Sequence, residues 1–427
     1  MTTPARRLPR ALLPFRHRAY RRLAVSLFFS LFTSGLWAVA QVWEVIRIGG
    51  GPPELSAVGA AASAGTLVFG LVGGVLADRL PQKHILLGVH GVQAACFGAA
   101  AVLSLTGQTR LWHLVVIGFV GGMASAFYYP AYSAWIPALV AADDLMAVNG
   151  FEGALRPTVQ QAAGPAVAGL IIGALSPGIA LAAASCCALL ATGILTTVPA
   201  TPLRGTRGTA PRSAVADLLE GFRYVASTRW LLSSLLFAAL MVLAVMGPLQ
   251  VLLPFFIKDH LGGDASAHAG MMAAFGIGGA AGSAVMTSLR IPRRYLTATL
   301  GMWGLSCTSF ALIAVSDRLL TVAIAAFVLG ALFSAPMVIW GTLLQRLVPP
   351  HLLGRVSSLD FFVSIALMPL SLAIAGPVAA LIGLTPTFLI AAAVPLLAAL
   401  VTIVLARLPK EELAHPLTDP QPEPAAA

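Results

Sequence analysis

GGVLADRLPQKH, residues 73–84, separates two long apolar runs with a turn and a few charges. The runs on either side, 56–78 and 83–105, are each long enough to cross a bilayer, which takes about 20 mainly apolar residues. Between them Asp78, Arg79 and Lys83 gather around Pro81, whose locked φ and missing N–H interrupt a helix. The stretch reads as a short polar turn joining two membrane-spanning helices.

The same pattern repeats along the chain. Candidate spans fall at 22–46, 56–78, 83–105, 111–133, 145–174, 179–198, 230–257, 268–289, 295–315, 319–343, 355–381 and 385–406. The expected fold is an all-α membrane protein of twelve transmembrane helices. Composition agrees: 58% of the 427 residues are hydrophobic and only 10% charged, whereas a soluble domain carries roughly 25% charged residues. The first 22 residues hold seven arginines and no apolar run with a small-residue cleavage site, which argues against a removed signal peptide.

A net charge of +10 could point to nucleic acid, but the placement of the charges points to topology instead. With the N-terminus inside, cytoplasmic segments hold 21 of the 26 basic residues and the opposite loops hold only Arg47, Arg110, Lys258 and Arg318. The remaining one, Arg156, lies within a span. The positive-inside rule then places both termini in the cytoplasm and requires an even number of spans. Lysine supplies only Lys83, Lys258 and Lys410 of the basic residues, the usage of a GC-rich genome, so a bacterial inner membrane is the expected location.

The longest interior stretch outside the spans, 199–229, opens with PATPLRGTRGTAPR and continues as DLLEGFRYVASTRW. The first part reads as a flexible linker. The second spaces Leu218, Leu219, Phe222 and Val225 for an amphipathic surface helix. Four regions follow: a six-helix half at 1–198, the linker and its helix at 199–229, a second six-helix half at 230–410, and a polar, proline-rich tail at 411–427 expected to be disordered. The halves resemble each other. IPALVAADDLMAVNGFE (136–152) aligns with QRLVPPHLLGRVSSLD (345–360), placing Glu152 on Asp360 at an offset of 208. AGPAVAGLIIG (163–173) aligns with AGPVAALIG (375–383) at 212, a slip of about one helical turn that is either an insertion or chance likeness.

These residues carry a family resemblance. GGVLADRLPQKH resembles motif A of the major facilitator superfamily through Gly74, Leu76, Ala77, Asp78, Arg79 and Lys83, with Pro81 and Gln82 departing from it. AGPAVAG, with Gly164 and Pro165, is similar to the glycine-proline signature of the antiporter branch. IPALV, AVNG and LVPPHLLGRVSS look like the drug-exporter branch that contains macrolide, tetracycline and siderophore exporters. The resemblance implies alternating access between two six-helix halves. It also implies a conformational latch at Gly74, Asp78, Arg79 and Lys83, in which Asp78 faces the start of the eleventh span near Arg355.

The energy source is constrained separately. A P-loop needs a Gly-Lys pair, and no lysine here follows a glycine. An ion gradient remains, and proton coupling needs carboxylates within the membrane, which are rare there. Glu152 has Arg156 four residues on, the spacing of one helix face, and the two form either a coupling pair or a structural ion pair. Asp360 is the repeat counterpart of Glu152, and Glu44 sits near the outer interface beside Arg47. Gln160 and Gln161 continue the polar stripe of Glu152 and Arg156, and Trp37, Gln41, Tyr128, Tyr129, Tyr132, Gln160, Gln250, Trp303 and Trp340 offer large apolar faces with hydrogen-bonding tips. Such groups suit a cavity for bulky amphiphiles, or else helix packing. Pro130, Pro248, Pro254, Pro336 and Pro369 mark expected kinks.

The resulting expectation is a monomeric, proton-coupled exporter of hydrophobic or amphiphilic small molecules such as antibiotics. Export of siderophores or lipid-like molecules, or uptake of a nutrient, are the alternatives within transport. The eight histidines are scattered without a metal-ligand spacing, and the four cysteines lie in apolar runs. Neither an enzyme, a cofactor nor a metal is therefore expected. Cysteines introduced near 107 or 317 should react with an impermeant maleimide on intact cells, and those near 208 or 292 only after lysis. The reverse pattern would overturn the orientation.

Overall fold

In hydrocarbon no water meets a bare peptide N–H or C=O, so a chain this apolar satisfies its backbone inside helices. The computed structural model describes residues 14–141, 144–201, 214–289, 291–349, 352–414 and 416, and every regular element among them is helical. The first half contains α1 (Arg18–Arg47), α2 (Pro52–Arg79), α3 (Gln82–Leu105) and α4 (Leu111–Leu139). It continues with α5 (Leu145–Leu155, then Arg156–Ala163, then Gly164–Ala174) and α6 (Pro177–Thr196). A short helix, α7 (Ala214–Ser227), leads into α8 (Arg229–His260), α9 (Ala265–Ser288) and α10 (Tyr295–Ala314). The second half ends with α11 (Leu319–Leu347), α12 (Leu353–Ile382) and α13 (Leu384–Leu405), and α14 (Leu408–Ala414) follows. Among the described residues, 10 helices are long and apolar enough to cross a membrane. Helix α2 and the interrupted α5, outside that ten, both belong to the first half.

Polar side chains show which helix ends lie together. Arg22 donates to the Thr197 carbonyl, and Lys83 Nζ donates to the carbonyls of Thr196 (2.7 Å) and Val198 (2.6 Å). The starts of α1 and α3 therefore meet the end of α6. Arg229 donates to the Leu405 carbonyl (2.8 Å), joining the start of α8 to the end of α13. This is the terminal end of the bundle. At the far end Glu44 accepts from Arg47 through two bonds (2.7 and 2.9 Å) and from Ser104 Oγ (2.8 Å), which ties α1 to α3.

Packing repeats between the halves. Helix α2 lies along α4 as α9 lies along α11, α3 packs on α6 as α10 packs on α13, and α1 packs on α6 as α8 packs on α13. Across the interface α2 meets α12 and α5 meets α9, two contacts that a pseudo-two-fold axis exchanges. Glycine lets these backbones touch, as is common where lipid supplies no hydrophobic drive between helices. A Cβ at Gly122 would come within 2.0 Å of the Ala62 carbonyl oxygen, and one at Gly330 within 2.0 Å of the Phe275 carbonyl oxygen.

Both sequence registers of the repeat have structural counterparts. Gly35 of α1 crosses α5 at Gly164 and Pro165, and Gly247 of α8 crosses α12 at Ser371 and Ala375. Gly35 and Gly247 stand 212 apart, as do Gly164 and Gly376. The one-turn slip falls where the halves differ in backbone: α5 widens into a π turn at Arg156–Ala163, whereas α12 breaks at Leu367.

Several expected elements differ in detail. Two π turns, Pro248–Leu252 and Phe256–His260, interrupt α8, and α10 breaks at Cys307 and Thr308. The surface helix spans Ala214–Ser227 and is pinned to α12 by a Glu220–Arg355 ion pair. Residues 202–213 of the linker lie outside the described residues. The expectation of a disordered tail needs correcting at its start. Residues 411–414 are helical, and buried Glu412 accepts from the Thr297 N–H (2.7 Å) and Oγ1 (3.0 Å), capping α10; the tail from 417 on lies outside the described residues.

Gly122→Ala and Gly330→Ala should each destabilise the purified protein by about 1–3 kcal/mol through overpacking. A Cβ at neighbouring Gly121 would meet nothing within 4 Å, so Gly121→Ala serves as the control. Equal denaturation midpoints for all three variants would refute the close approach.

Candidate functional site

Two adjoining cavities, of about 390 Å³ and about 220 Å³, lie between the halves and share Gln41, Gly59, Gln250 and Leu372. The larger is lined from the first half by Ser34 and Trp37 of α1, Thr66 of α2, Gln93 of α3 and Gln160 of α5. The smaller continues toward the far end among Leu55, Leu249, His268, Met271, Met272 and Phe275. Trp37 is fixed by stacking on Phe97, with ring centroids 4.6 Å apart.

Gln160, Gln161 and Gln250 reach the cavity from widened turns, whereas Gln41 and Gln93 sit on regular helix. Pro165 lacks an N–H, and its ring would strike the carbonyl four residues back in a regular helix. The turn before it, Arg156–Ala163, is π-helical and carries Gln160 and Gln161. Pro254 stands in the same relation to the π turn Pro248–Leu252, which carries Gln250. Single π turns of this kind occur often at functional sites.

The cavity is closed at the far end by neutral contacts between the halves. Trp43 Nε1 donates to His268 Nδ1 (3.3 Å), Ser266 Oγ to the Gly169 carbonyl (3.2 Å), and the Gly376 N–H to Ser56 Oγ (2.8 Å). A Cβ at Gly376 would lie 2.3 Å from the Pro52 carbonyl oxygen. Toward the terminal end, Phe361 on the cavity wall is 61% exposed and Tyr129 60% exposed.

The membrane carboxylates stand away from the cavity wall, each with its own partners. Tyr132 Oη donates to Glu152 Oε1 (2.7 Å), and Trp340 Nε1 donates to Asp360 Oδ2 (3.2 Å). The two bonds match across the repeat, since donor and acceptor are 20 residues apart in each half and both pairs are related by 208. Glu152 and Arg156 do not come within ion-pair distance. Glu152 is held by Tyr132, while the Arg156 guanidinium lies 5.8 Å over the Tyr129 ring with Nη2 buried and unpartnered. Glu44 is fully buried in its cluster with Arg47 and Ser104.

Of the expected cavity residues, Trp37, Gln41, Gln160 and Gln250 line the space between the halves, and Gln161 joins them. Tyr128, Tyr129, Trp303 and Trp340 do not. Tyr128 stacks on Tyr132 (5.6 Å), and Trp303 is buried in the second half, donating to the Phe333 carbonyl (3.0 Å). In the motif A turn, Arg79 is exposed and Lys83 ties α3 to the end of α6; the surroundings of Gly74 and the Asp78 side chain lie outside the described set. Sequence reasoning passed over His268, Trp43 and Gln93. It also passed over buried Asp144, which holds Arg16 and His17 (3.0 Å each) at the terminal end. For Asp144 the signal was the acidic pair opening a span.

The arrangement is two pseudo-symmetric six-helix units around a central cavity, which defines a membrane transporter of the major facilitator fold. Solved structures agree on the fold. A mutant of the nucleoside transporter NupG matches with a TM-score of 0.73 at 13% identity, over 91% of this chain and 99% of that one. A bacterial homologue of the human lysosomal transporter Spinster, inward-facing and unoccupied, matches at 0.66 and 14%, over 95% and 99%. The family model described as transmembrane secretion effector matches residues 10–427, and the chain belongs to that family. It is a transporter family, so the chain is not an enzyme. Macrolide efflux protein A of Streptococcus pyogenes is 25% identical over 393 residues, covering 90% of this chain and 95% of the relative. The multidrug efflux pump Tap of Mycolicibacterium fortuitum is 28% identical over 399 residues, covering 89% and 94%.

Tyr132→Phe and Trp340→Phe each strip a donor from a carboxylate within the bundle, a loss of about 1–3 kcal/mol. Both should lower the denaturation midpoint, and the cycle Tyr132→Phe with Glu152→Gln should show a coupling of at least about 0.5 kcal/mol. Strict additivity would remove that bond from the account.

Proposed function

We propose that the chain exports bulky hydrophobic or amphiphilic small molecules across a bacterial inner membrane, driven by protons, with both termini in the cytoplasm and one chain as the working unit. The observation that carries this reading is the inter-half cavity, apolar with scattered amide tips, closed at the far end by contacts between the halves. With the terminal end cytoplasmic, as the arginine distribution favours, this geometry is a state that loads from inside. The macrolide and multidrug efflux relatives support the direction and the kind of cargo. Motif A, through Asp78 and Arg79, serves in this reading as the latch that holds the opposite state.

The coupling groups in this reading are Glu152 and its counterpart Asp360. A carboxylate held by a single aromatic donor within the span can take up a proton without breaking an ion pair. Glu44 is the weaker candidate, because bidentate Arg47 and Ser104 already fix its charge. In proteoliposomes with an imposed proton gradient, Glu152→Gln should abolish uphill transport while leaving substrate exchange intact. Arg156 then remains a charge within the span, so the double change Glu152→Gln with Arg156→Gln separates coupling from folding. Uphill transport recovered in the double variant would move the coupling role to Asp360 or Glu44.

A further inference from the structure

We infer that the cavity selects uncharged amphiphiles rich in hydroxyl or N–H donors and discriminates against permanent cations. This rests on reading the cavity as the transport site. Among the described lining residues none is Asp, Glu, Lys or Arg, and the one titratable side chain is His268. An indole N–H can only donate, so the Trp43 bond makes His268 Nδ1 an acceptor and the ring an uncharged imidazole. The carboxylates Glu44, Glu152 and Asp360 are held elsewhere by Arg47, Tyr132 and Trp340. A cation entering this space would lose its hydration with no opposite charge in return.

The hydroxyls of the wall turn their donors away from the cavity. Ser34 Oγ donates to the Ser30 carbonyl (3.1 Å), Thr66 Oγ1 to the carbonyls of Ala62 and Gly122 (3.1 Å each), and Ser125 Oγ to the Gly121 carbonyl (2.9 Å). Each hydroxyl hydrogen is thus spent on backbone, and lone pairs are what face the cavity. Two carbonyl oxygens lack a hydrogen-bond partner: Gln41 Oε1, and Gln93 Oε1 beside the His90 ring. The Gln93 amide cannot be turned over. Its Nε2 donates to Ser125 Oγ (3.4 Å), and Ser125, already donating to Gly121, can only accept. Gln93 is 7% exposed and lines the larger cavity; His90, one turn earlier, is buried and does not. A buried acceptor without a donor is unfavourable until a ligand supplies one. The molecule that satisfies this wall brings donors of its own, and Met271, Met272 and Phe275 receive its apolar part.

The test uses the full chain in nanodiscs with two probes: erythronolide B, uncharged and polyhydroxylated, and tetraphenylphosphonium, a permanent cation without donors. Erythronolide B should bind at least about tenfold more tightly than the cation. Gln93→Leu and Gln41→Leu should each weaken it by about tenfold, the value of one hydrogen bond, and leave the cation unchanged. Gln93→Glu should raise affinity for the cation. Gln41 is less buried than Gln93, so Gln41→Leu carries the test should Gln93→Leu fail to fold. Preferential binding of the cation, or unchanged erythronolide affinity in both leucine variants, would overturn the inference. Should the cation alone be moved by an imposed gradient, only the substrate class falls. If neither probe binds or moves, the export reading fails with it.

Discussion

Backbone touching backbone at glycine is the contact on which the rest of this bundle depends. Inside lipid, one apolar side chain gains little by exchanging lipid for another, so helices cohere through close van der Waals packing. Gly122 against Ala62, Gly278 against Phe327 and Gly330 against Phe275 bring α2 onto α4 and α9 onto α11 without intervening side chains. Gly376 against Pro52 and Gly169 against the Ala265 carbonyl do the same between the halves. These crossings set how far apart the remaining helix faces stand, and hence where a cavity is left. They also explain why α1 and α5 meet at Gly35 and Gly164, next to the widened turn that turns its glutamines toward that cavity.

Much of the architecture was legible because its signals are one-dimensional. Span lengths follow hydropathy, the even count follows from where the arginines fall, and the linker helix follows from the spacing of Leu218, Leu219 and Phe222. The repeat was visible as two offsets: the one at 208 recurs in the Tyr132–Glu152 and Trp340–Asp360 bonds, while at 212 Gly164 meets Gly35 but its counterpart Gly376 meets Pro52. What the sequence could not assign was which neighbour each aromatic faces. Trp37 and Trp303 look alike on paper, yet one stacks on Phe97 at the cavity and the other spends its N–H on the Phe333 carbonyl inside the second half. The partner of Glu152 was misjudged for a related reason. Arg156 is four residues away and obvious, whereas Tyr132 lies 20 residues upstream on the adjacent helix. A pairing of that kind is set by tertiary packing alone.

The repeat at 208 gives the carboxylates a common logic. In each half an aromatic donor near the terminal end of one helix reaches a carboxylate on the next, with tyrosine and glutamate in the first half replaced by tryptophan and aspartate in the second. The pairs are alike in position and unlike in chemistry: a phenol can also accept a hydrogen bond, an indole N–H cannot. Two groups so placed need not respond alike to the same change of surroundings, which suits a protein whose halves must pass through unequal states.

The seal at the far end consists of neutral groups: an indole on an imidazole, a serine on a carbonyl, and a glycine N–H on a serine. Neutral hydrogen bonds contribute about 1 kcal/mol each in net terms, so the three together amount to roughly 3 kcal/mol. One elementary charge crossing a potential of about 100 mV releases about 2.3 kcal/mol. The door and the available work are therefore of similar size. A seal built from buried ion pairs would have demanded several charges per opening and would have loosened with salt. Under the proposed proton coupling, this one parts and recloses on the free energy of one or two ions, in either direction, which keeps the swing of the two halves reversible.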